Sequence, residues 1–229
     1  MATRSRGLLL RLMFGMLPLV LAWGGVAAAS AATDDAAGQC RERIKVSDWQ
    51  GAVLACSRAI EKDPKLTTAW IDRCQAQLEL ARLGEAMADC RRAVQLGPRN
   101  SEAYLRLADV KAASNPLNYR SVLEDYDKSI ILDPRNATAY NNRGVTRNSL
   151  KDYKGALADY NKAIDLDPGN SLYYFNRGET LFLKGQRELG CSSFRQGHDL
   201  KPDFTLTTPD FDSAYLKFCN QIKEPVQAP

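Results

Sequence analysis

Residues 137–170 read ATAYNNRGVTRNSLKDYKGALADYNKAIDLDPGN, and this stretch decides the fold. It contains two short amphipathic runs of helical spacing with a turn between them. Pro168 ends the second run, because proline lacks the backbone N–H that a continuing helix needs. The same pattern recurs on both sides of this stretch, so we predict a series of helical hairpins.

The recurrence has a nearly constant period. Prolines at Pro64, Pro98, Pro134, Pro168 and Pro202 are separated by 34, 36, 34 and 34 residues. A fixed period of this size is typical of stacked repeats. With the proline numbered as position 32, the predicted repeats are 33–66, 67–100, 101–136, 137–170 and 171–204, and the third carries two extra residues between its helices.

Small and aromatic residues alternate at matching positions of the repeats. In the fourth repeat, positions 8, 20 and 27 hold Gly144, Ala156 and Ala163, and positions 4 and 24 hold Tyr140 and Tyr160. Small residues let two antiparallel helices approach closely, and the aromatic rings fill the space beside them. One hairpin cannot bury its apolar face alone, so neighbouring hairpins are expected to stack into a continuous core.

This pattern resembles the tetratricopeptide repeat family over roughly residues 33–202, most strongly in the second, fourth and fifth repeats. The resemblance implies an all-α, right-handed α-solenoid of about five hairpins. A solenoid needs a terminal cap, and we predict a C-terminal capping helix over 208–222. Thr208 is a good N-cap and Pro209 suits the first helical position. Residues 223–229 are predicted to form a tail.

The resemblance further implies a concave groove, lined by first-helix positions 2, 5, 6, 9, 12 and 13, where an extended peptide or a partner helix docks. Asparagine amides can hold a peptide backbone through a donor and an acceptor together, and exposed phenylalanine or leucine marks an adhesive patch. The predicted groove residues are Asn141, Asn142, Val145, Asn148, Leu172, Phe175, Asn176, Glu179 and Phe182.

Acidic residues occupy the same positions in the second and third repeats. Chaperone-binding members of the family grip a C-terminal carboxylate here, but Asp72, Glu102 and Asp109 would repel one. We therefore do not predict binding of a chaperone tail. An acidic middle groove would favour a basic partner instead.

The first 32 residues have the pattern of a secretory signal peptide. Three arginines precede the apolar run Leu12–Val26, and small residues before Ala31 and Ala32 suit cleavage. The alternative is an uncleaved anchor, because the uncharged stretch that begins at Leu12 is just long enough to span a bilayer. Contact with a membrane is expected only in that case.

Charge and motifs restrict the function classes. Without the three leader arginines, the chain has 28 basic and 27 acidic residues, so it lacks the excess of positive charge that nucleic-acid binding requires. No phosphate-binding glycine loop or nucleophile–base set is present, so we predict no enzyme, cofactor or metal. We expect a scaffold or adaptor in a bacterial periplasm that binds a protein or peptide. The alternatives are a membrane-tethered envelope-assembly component and an enzyme acting on cell-wall material.

Six cysteines in an exported chain suggest disulfides. Within the repeat frame, Cys40 with Cys56 and Cys74 with Cys90 occupy positions 8 and 24, where the later repeats place a small residue against a large one. These positions lie level on opposite helices of a hairpin, which predicts two bridges. The remaining pair, Cys191 with Cys219, is predicted to join the last repeat to the cap. One histidine and no Cys-x-x-Cys disfavour zinc or redox chemistry.

Overall fold

The computed structural model describes residues 36–115, residues 118–201 and Cys219. All regular secondary structure in these residues is helical, as predicted. Ten helices follow one another: α1 (36–45), α2 (Trp49–Lys62), α3 (Thr67–Glu79), α4 (Leu83–Leu96), α5 (Ser101–Ser114), α6 (Tyr119–Leu132), α7 (Ala137–Ser149), α8 (Tyr153–Leu166), α9 (Ser171–Leu183) and α10 (Arg187–Leu200).

Successive helices pack as hairpins, and the hairpins stack. From α3 onward, odd-numbered helices pack against the following helix of their own hairpin and against the last helix of the preceding one. The odd-numbered helices also contact each other, α3 with α5, α5 with α7 and α7 with α9, so they form one continuous face. The all-α repeat solenoid is therefore confirmed. The predicted leader, tail and cap helix lie outside the described residues, except for Cys219, which is helical.

Local sequence sets where the helices begin and turn. The side chains of Asn100, Asn136 and Asp152 each accept a hydrogen bond from a backbone N–H in the first turn of α5, α7 and α8, as N-caps do. Inside a hairpin the chain reverses through a left-handed residue, such as Lys151 at φ 61° or Gly185 at φ 83°. These turns hold the two helices of a hairpin side by side.

Each hairpin is closed by one pair of residues at positions 8 and 24. In the fourth repeat, a Cβ added to Gly144 would lie 2.7 Å from the ring of Tyr160. In the first two repeats the same place holds a bridge, and all four cysteines are fully buried. The structure joins Cys40 to Cys56, Cys74 to Cys90 and Cys191 to Cys219, the pairings expected from the repeat frame.

Removing the second bridge is expected to destabilise the fold. The variant Cys74→Ala/Cys90→Ala opens a cross-link of sequence separation 16, and the freed unfolded chain should lower the unfolding free energy by about 3 kcal/mol. Urea unfolding without reductant measures the loss. Wild type in reductant should shift in the same direction, and an unchanged midpoint for the double variant would contradict the prediction.

An arginine at position 7 joins neighbouring hairpins in three repeats. Arg143 on α7 pairs with Asp159 on α8 at 2.6 Å and with Asp127 on α6 at 2.7 Å. Its guanidinium carbon also lies 5.4 Å from the ring centroid of Tyr140. Each such arginine therefore ties its own hairpin to the preceding one. The equivalents are Arg73 over Trp70, bonded to Asp89 and Ser57, and Arg177 over Tyr174, bonded to Ser193 and Asn161.

The third repeat departs from this arrangement. Its position 7 is Leu107. In the other repeats, the preceding hairpin supplies a hydrogen-bond acceptor to the arginine at position 7, but here that place is held by Arg91. An arginine at position 7 would face a like charge there. Lys111, one turn later on α5, forms an ion pair with the carboxylate of Asp125 and donates to Ser121 at 2.8 Å. A different cation thus replaces the bond within the hairpin, while both of these contacts of Lys111 stay inside the third hairpin.

Candidate partner-binding groove

The face formed by α3, α5, α7 and α9 carries most of the predicted groove residues. Val145, Leu172 and Glu179 are exposed, and Asn142, Asn148, Asn176 and Phe182 are half-buried. Leu183, at the end of α9, is also exposed. This part of the face, formed by α7 and α9, therefore combines apolar contact area with amide groups.

Two predicted groove residues are instead buried. Asn141 is 3% exposed and Phe175 is 6% exposed. Both occupy position 5, and Ile71 and Leu105 are buried at the same position of earlier repeats. Position 5 therefore faces the neighbouring helices. Phe175 packs against Phe194, with ring centroids 5.7 Å apart, and is part of the core rather than an adhesive patch.

Asparagine side chains link three hairpins along this face. Asn176 on α9 donates to Oδ1 of Asn141 at 2.7 Å, and Asn141 donates to Oδ1 of Asn142 at 3.0 Å. Asn142 donates in turn to Oδ1 of Asp109 on α5 at 2.9 Å. We call these four residues the amide relay. The sequence placed three of them in the groove, but their connection across helices was not foreseen.

Asp109 accepts hydrogen bonds from more side chains than the other acids of this face do. It also accepts from Tyr126 Oη at 2.7 Å and from Arg106 Nη1 at 3.2 Å. Burial, and then the charge of Asp109, raise the pKa of Tyr126 far above its usual range, so this phenol remains a donor. The sequence indicated Asp109 only as an acid that would repel a carboxylate. Its role as a common acceptor depends on α6 and α7 packing beside it.

The acidic part of the face is only partly neutralised. Asp72 lies 3.6 Å from Arg41, and Glu102 pairs with Arg106 at 2.7 Å. Burial raises the pKa of Asp72, Arg41 offsets part of this effect, and the charge of Glu102 adds to it. A cation on this face would therefore meet carboxylates that are short of positive charge.

The raised pKa of Asp72 predicts a dependence of stability on pH. The folded state holds this proton more strongly than the unfolded chain, so ionisation disfavours folding. The stabilising contribution of the protonated Asp72 carboxyl is complete at acidic pH. It decreases as pH rises through the folded-state pKa of Asp72. Asp72→Asn should therefore be slightly more stable than wild type at neutral pH, and the difference should vanish below about pH 4.

Urea midpoints across the acidic range measure that difference. Asp165→Asn, on the exposed surface of α8, serves as the control and should follow the wild-type profile. A variant Asp72→Asn that is less stable than wild type at neutral pH, with the difference disappearing in acid, would contradict the prediction and show that the ion pair with Arg41 outweighs the cost of burial.

Two further searches of the described residues were negative. No group of three or more metal-ligating side chains is present in the part of the chain that the structure describes. Among residues 36–115, 118–201 and Cys219, no helix is both long and apolar enough to cross a membrane.

The stacked hairpins and their continuous first-helix face define a helical-repeat protein of the solenoid type. Residues 137–170 match the tetratricopeptide repeat family model, and residues 159–189 match a second model of the same description. Over residues 137–189 the chain is therefore similar to the tetratricopeptide repeat family. Domains of this type bind protein or peptide partners and are generally non-catalytic.

Curated proteins with similar sequence are much larger. Over 105 residues the chain is 32% identical to the DnaJ homolog subfamily C member 7 homolog of Dictyostelium discoideum, and the match covers 44% of this chain and 19% of that one. The alignments span between 12% and 19% of the first three such relatives. This chain thus matches a small part of each of these relatives.

Solved structures extend the likeness in fold over most of the chain. A thermophilic TPR protein of Thermus thermophilus superposes with a TM-score of 0.69 at 16% identity, covering 81% of this chain and 97% of its own. A TPR protein described as having an unusual peptide-binding site gives a TM-score of 0.56 at 18% identity, covering 77% and 93%. At these identities the likeness concerns the fold alone.

Proposed function

We propose that this chain is an exported, non-catalytic scaffold of the bacterial periplasm that binds a peptide or an extended partner segment on its first-helix face. The observation that carries the proposal is the combination, on α7 and α9, of exposed Val145 and Leu172 with amides bonded from helix to helix. Exposed apolar area favours association. Prepositioned amides lower the entropy lost on binding.

The proposed location follows from the leader pattern and the cysteines. Three disulfides suit an oxidising compartment, because thiols in the cytosol are kept reduced. Intact-mass measurement of the exported protein distinguishes the two leader hypotheses. A chain beginning near Thr33 supports a released periplasmic scaffold, and a retained leader supports the membrane-tethered alternative.

A peptide ligand has some support from the structural neighbour described as having a peptide-binding site. The exposed groove residues lie on α7 and α9, which are the first helices of the proposed repeats 137–170 and 171–204. We therefore propose that the fourth and fifth repeats form the main contact. Asn141 and Phe175 are left out of the proposed contact surface, since both are buried.

The test is a crosslinking pull-down from the native envelope. Wild type is compared with Val145→Ala/Asn176→Ala, which removes one exposed apolar side chain and one amide from the groove. The matched control is Ile131→Ala/Leu189→Ala, which removes exposed apolar side chains from the second helices α6 and α10. Circular dichroism establishes that all three are folded.

A partner captured by wild type and by the control, but lost by the groove variant, is the expected result. Capture by all three proteins would move the contact to another face. Loss by the control alone would place the contact on the second helices, and both of these outcomes contradict the proposed groove.

A further inference from the structure

The carboxylate of Asp109 determines the direction of every hydrogen bond in the amide relay. An ionised carboxylate can only accept, so Asn142 must present its NH₂ group across the 2.9 Å contact. Oδ1 of Asn142 then faces Asn141, which must donate at 3.0 Å. Oδ1 of Asn141 faces Asn176 in turn, which must donate at 2.7 Å. One charge therefore orients three amides on two helices.

The relay ends at Asn176 with an unused acceptor. Its NH₂ group is committed to Asn141, and no described residue donates to its carbonyl oxygen. Glu179 follows three residues later on α9, on the same side of the helix. In the structure this carboxylate is exposed and forms no hydrogen bond or ion pair with a described residue. Two acceptors therefore lie on one side of α9, the side that also carries Leu172.

We propose that Asp109 is a positioning residue that orients the amide relay, and that the relay's terminal Asn176, together with Glu179, receives a cationic side chain of the partner segment. This inference rests on the proposed groove function and specifies its ligand: a segment bearing lysine or arginine. A neutral or acidic segment would bring no positive charge to the carboxylate of Glu179.

The charges along the face agree with a basic partner. Asp72, Glu102 and Asp109 share the middle of the groove with one close arginine from their own helices, Arg106. Glu179 pairs with no positive group of the described residues, and Asp72 has Arg41 at 3.6 Å, so both carboxylates would gain from a nearby positive charge. Complementary charge of this kind contributes to specificity and to the association rate.

The relay is tested without any partner. Side-chain amide signals of Asn142 and Asn176 are recorded by ¹⁵N NMR in wild type, Asp109→Asn and Asp127→Asn. Asp127 also binds an arginine, Arg143, but does not touch the relay. Asp109→Asn should shift both amide signals, and Asp127→Asn should leave them in place. An unmoved Asn176 signal in Asp109→Asn would overturn the relay.

Ligand choice is tested with fluorescein-labelled peptides of one leucine, serine and alanine background that carry lysine, glutamine or glutamate at the same positions. By fluorescence anisotropy, the lysine peptide should bind about tenfold more tightly than the glutamine peptide, and the glutamate peptide more weakly still. Glu179→Gln should remove most of this preference. Glu188→Gln, an exposed acid on α10, should leave it unchanged.

The outcomes separate this inference from the groove itself. Equal binding of all three peptides, lost in Val145→Ala/Asn176→Ala, would overturn the cationic preference while the groove stands. A lysine preference that survives in Glu179→Gln and in Asp109→Asn would also overturn the inference, because the attraction would then come from general charge. Binding unaffected by any groove variant would contradict the proposed function as well.

Discussion

Replacing Asp159 with alanine is expected to lower the unfolding free energy by about 3–5 kcal/mol. Its carboxylate pairs with Arg143 at 2.6 Å and with Arg147 at 2.8 Å, and its side chain is only 4% exposed. Without it, two guanidinium groups that are largely removed from water lose their shared carboxylate. Burying an uncompensated charge is among the most destabilising single changes in a protein.

Asp127→Ala is the matched control. Asp127 binds the same Arg143, at 2.7 Å, but its side chain is 49% exposed. Water can replace it, so the expected loss is about 1 kcal/mol or less. Urea unfolding of both variants measures the difference. Equal losses would mean that burial of the carboxylate does not determine the strength of this junction.

Gly178→Val is the second change with a large expected effect, a loss of about 3 kcal/mol. A Cβ at this position would lie 2.5 Å from the ring of Phe194. That ring cannot move aside easily, because it is 5% exposed and packs against Phe175 at 5.7 Å and Phe182 at 6.0 Å. Overpacking at such a site forces α9 and α10 apart.

Gly84→Val tests whether the cost comes from packing. Gly84 lies in the first turn of α4, and no atom outside its own helix is within 4 Å of an added Cβ. The change there should stay within about 0.5 kcal/mol. Thermal unfolding compares the two variants, and a similar decrease in Tm for both would refute the packing explanation.

Much of the architecture was predictable because it depends on local patterns. The proline period and the small–large alternation predicted stacked hairpins, and the structure has them. Gly144 beneath Tyr160 follows the same logic. The repeat frame also placed Cys40 level with Cys56 and Cys74 level with Cys90, since residues equally far from a turn on antiparallel helices stand side by side.

The groove was predictable only in outline. The family resemblance assigned Asn141 and Phe175 to the same groove as Asn142 and Asn176, but the structure buries the first two. One position on a helix subtends about 100°, so whether a residue at the margin meets solvent or a neighbour depends on how closely the next hairpin packs. The distance between neighbouring hairpins is set by how the hairpins stack, and not by the sequence of one helix.

The sequence by itself determined the repeat length, the helical class and the first two cysteine pairs, because each depends on contacts within one hairpin. Only the tertiary structure showed that Arg143 bridges α6, α7 and α8, and that the amide relay extends from Asp109 to Asn176. The helix-to-helix bonds of the relay join residues 33 and 35 positions apart, and those of Arg143 join residues 16 positions apart. Their partners are set by the rotation and spacing between hairpins, which no local pattern encodes.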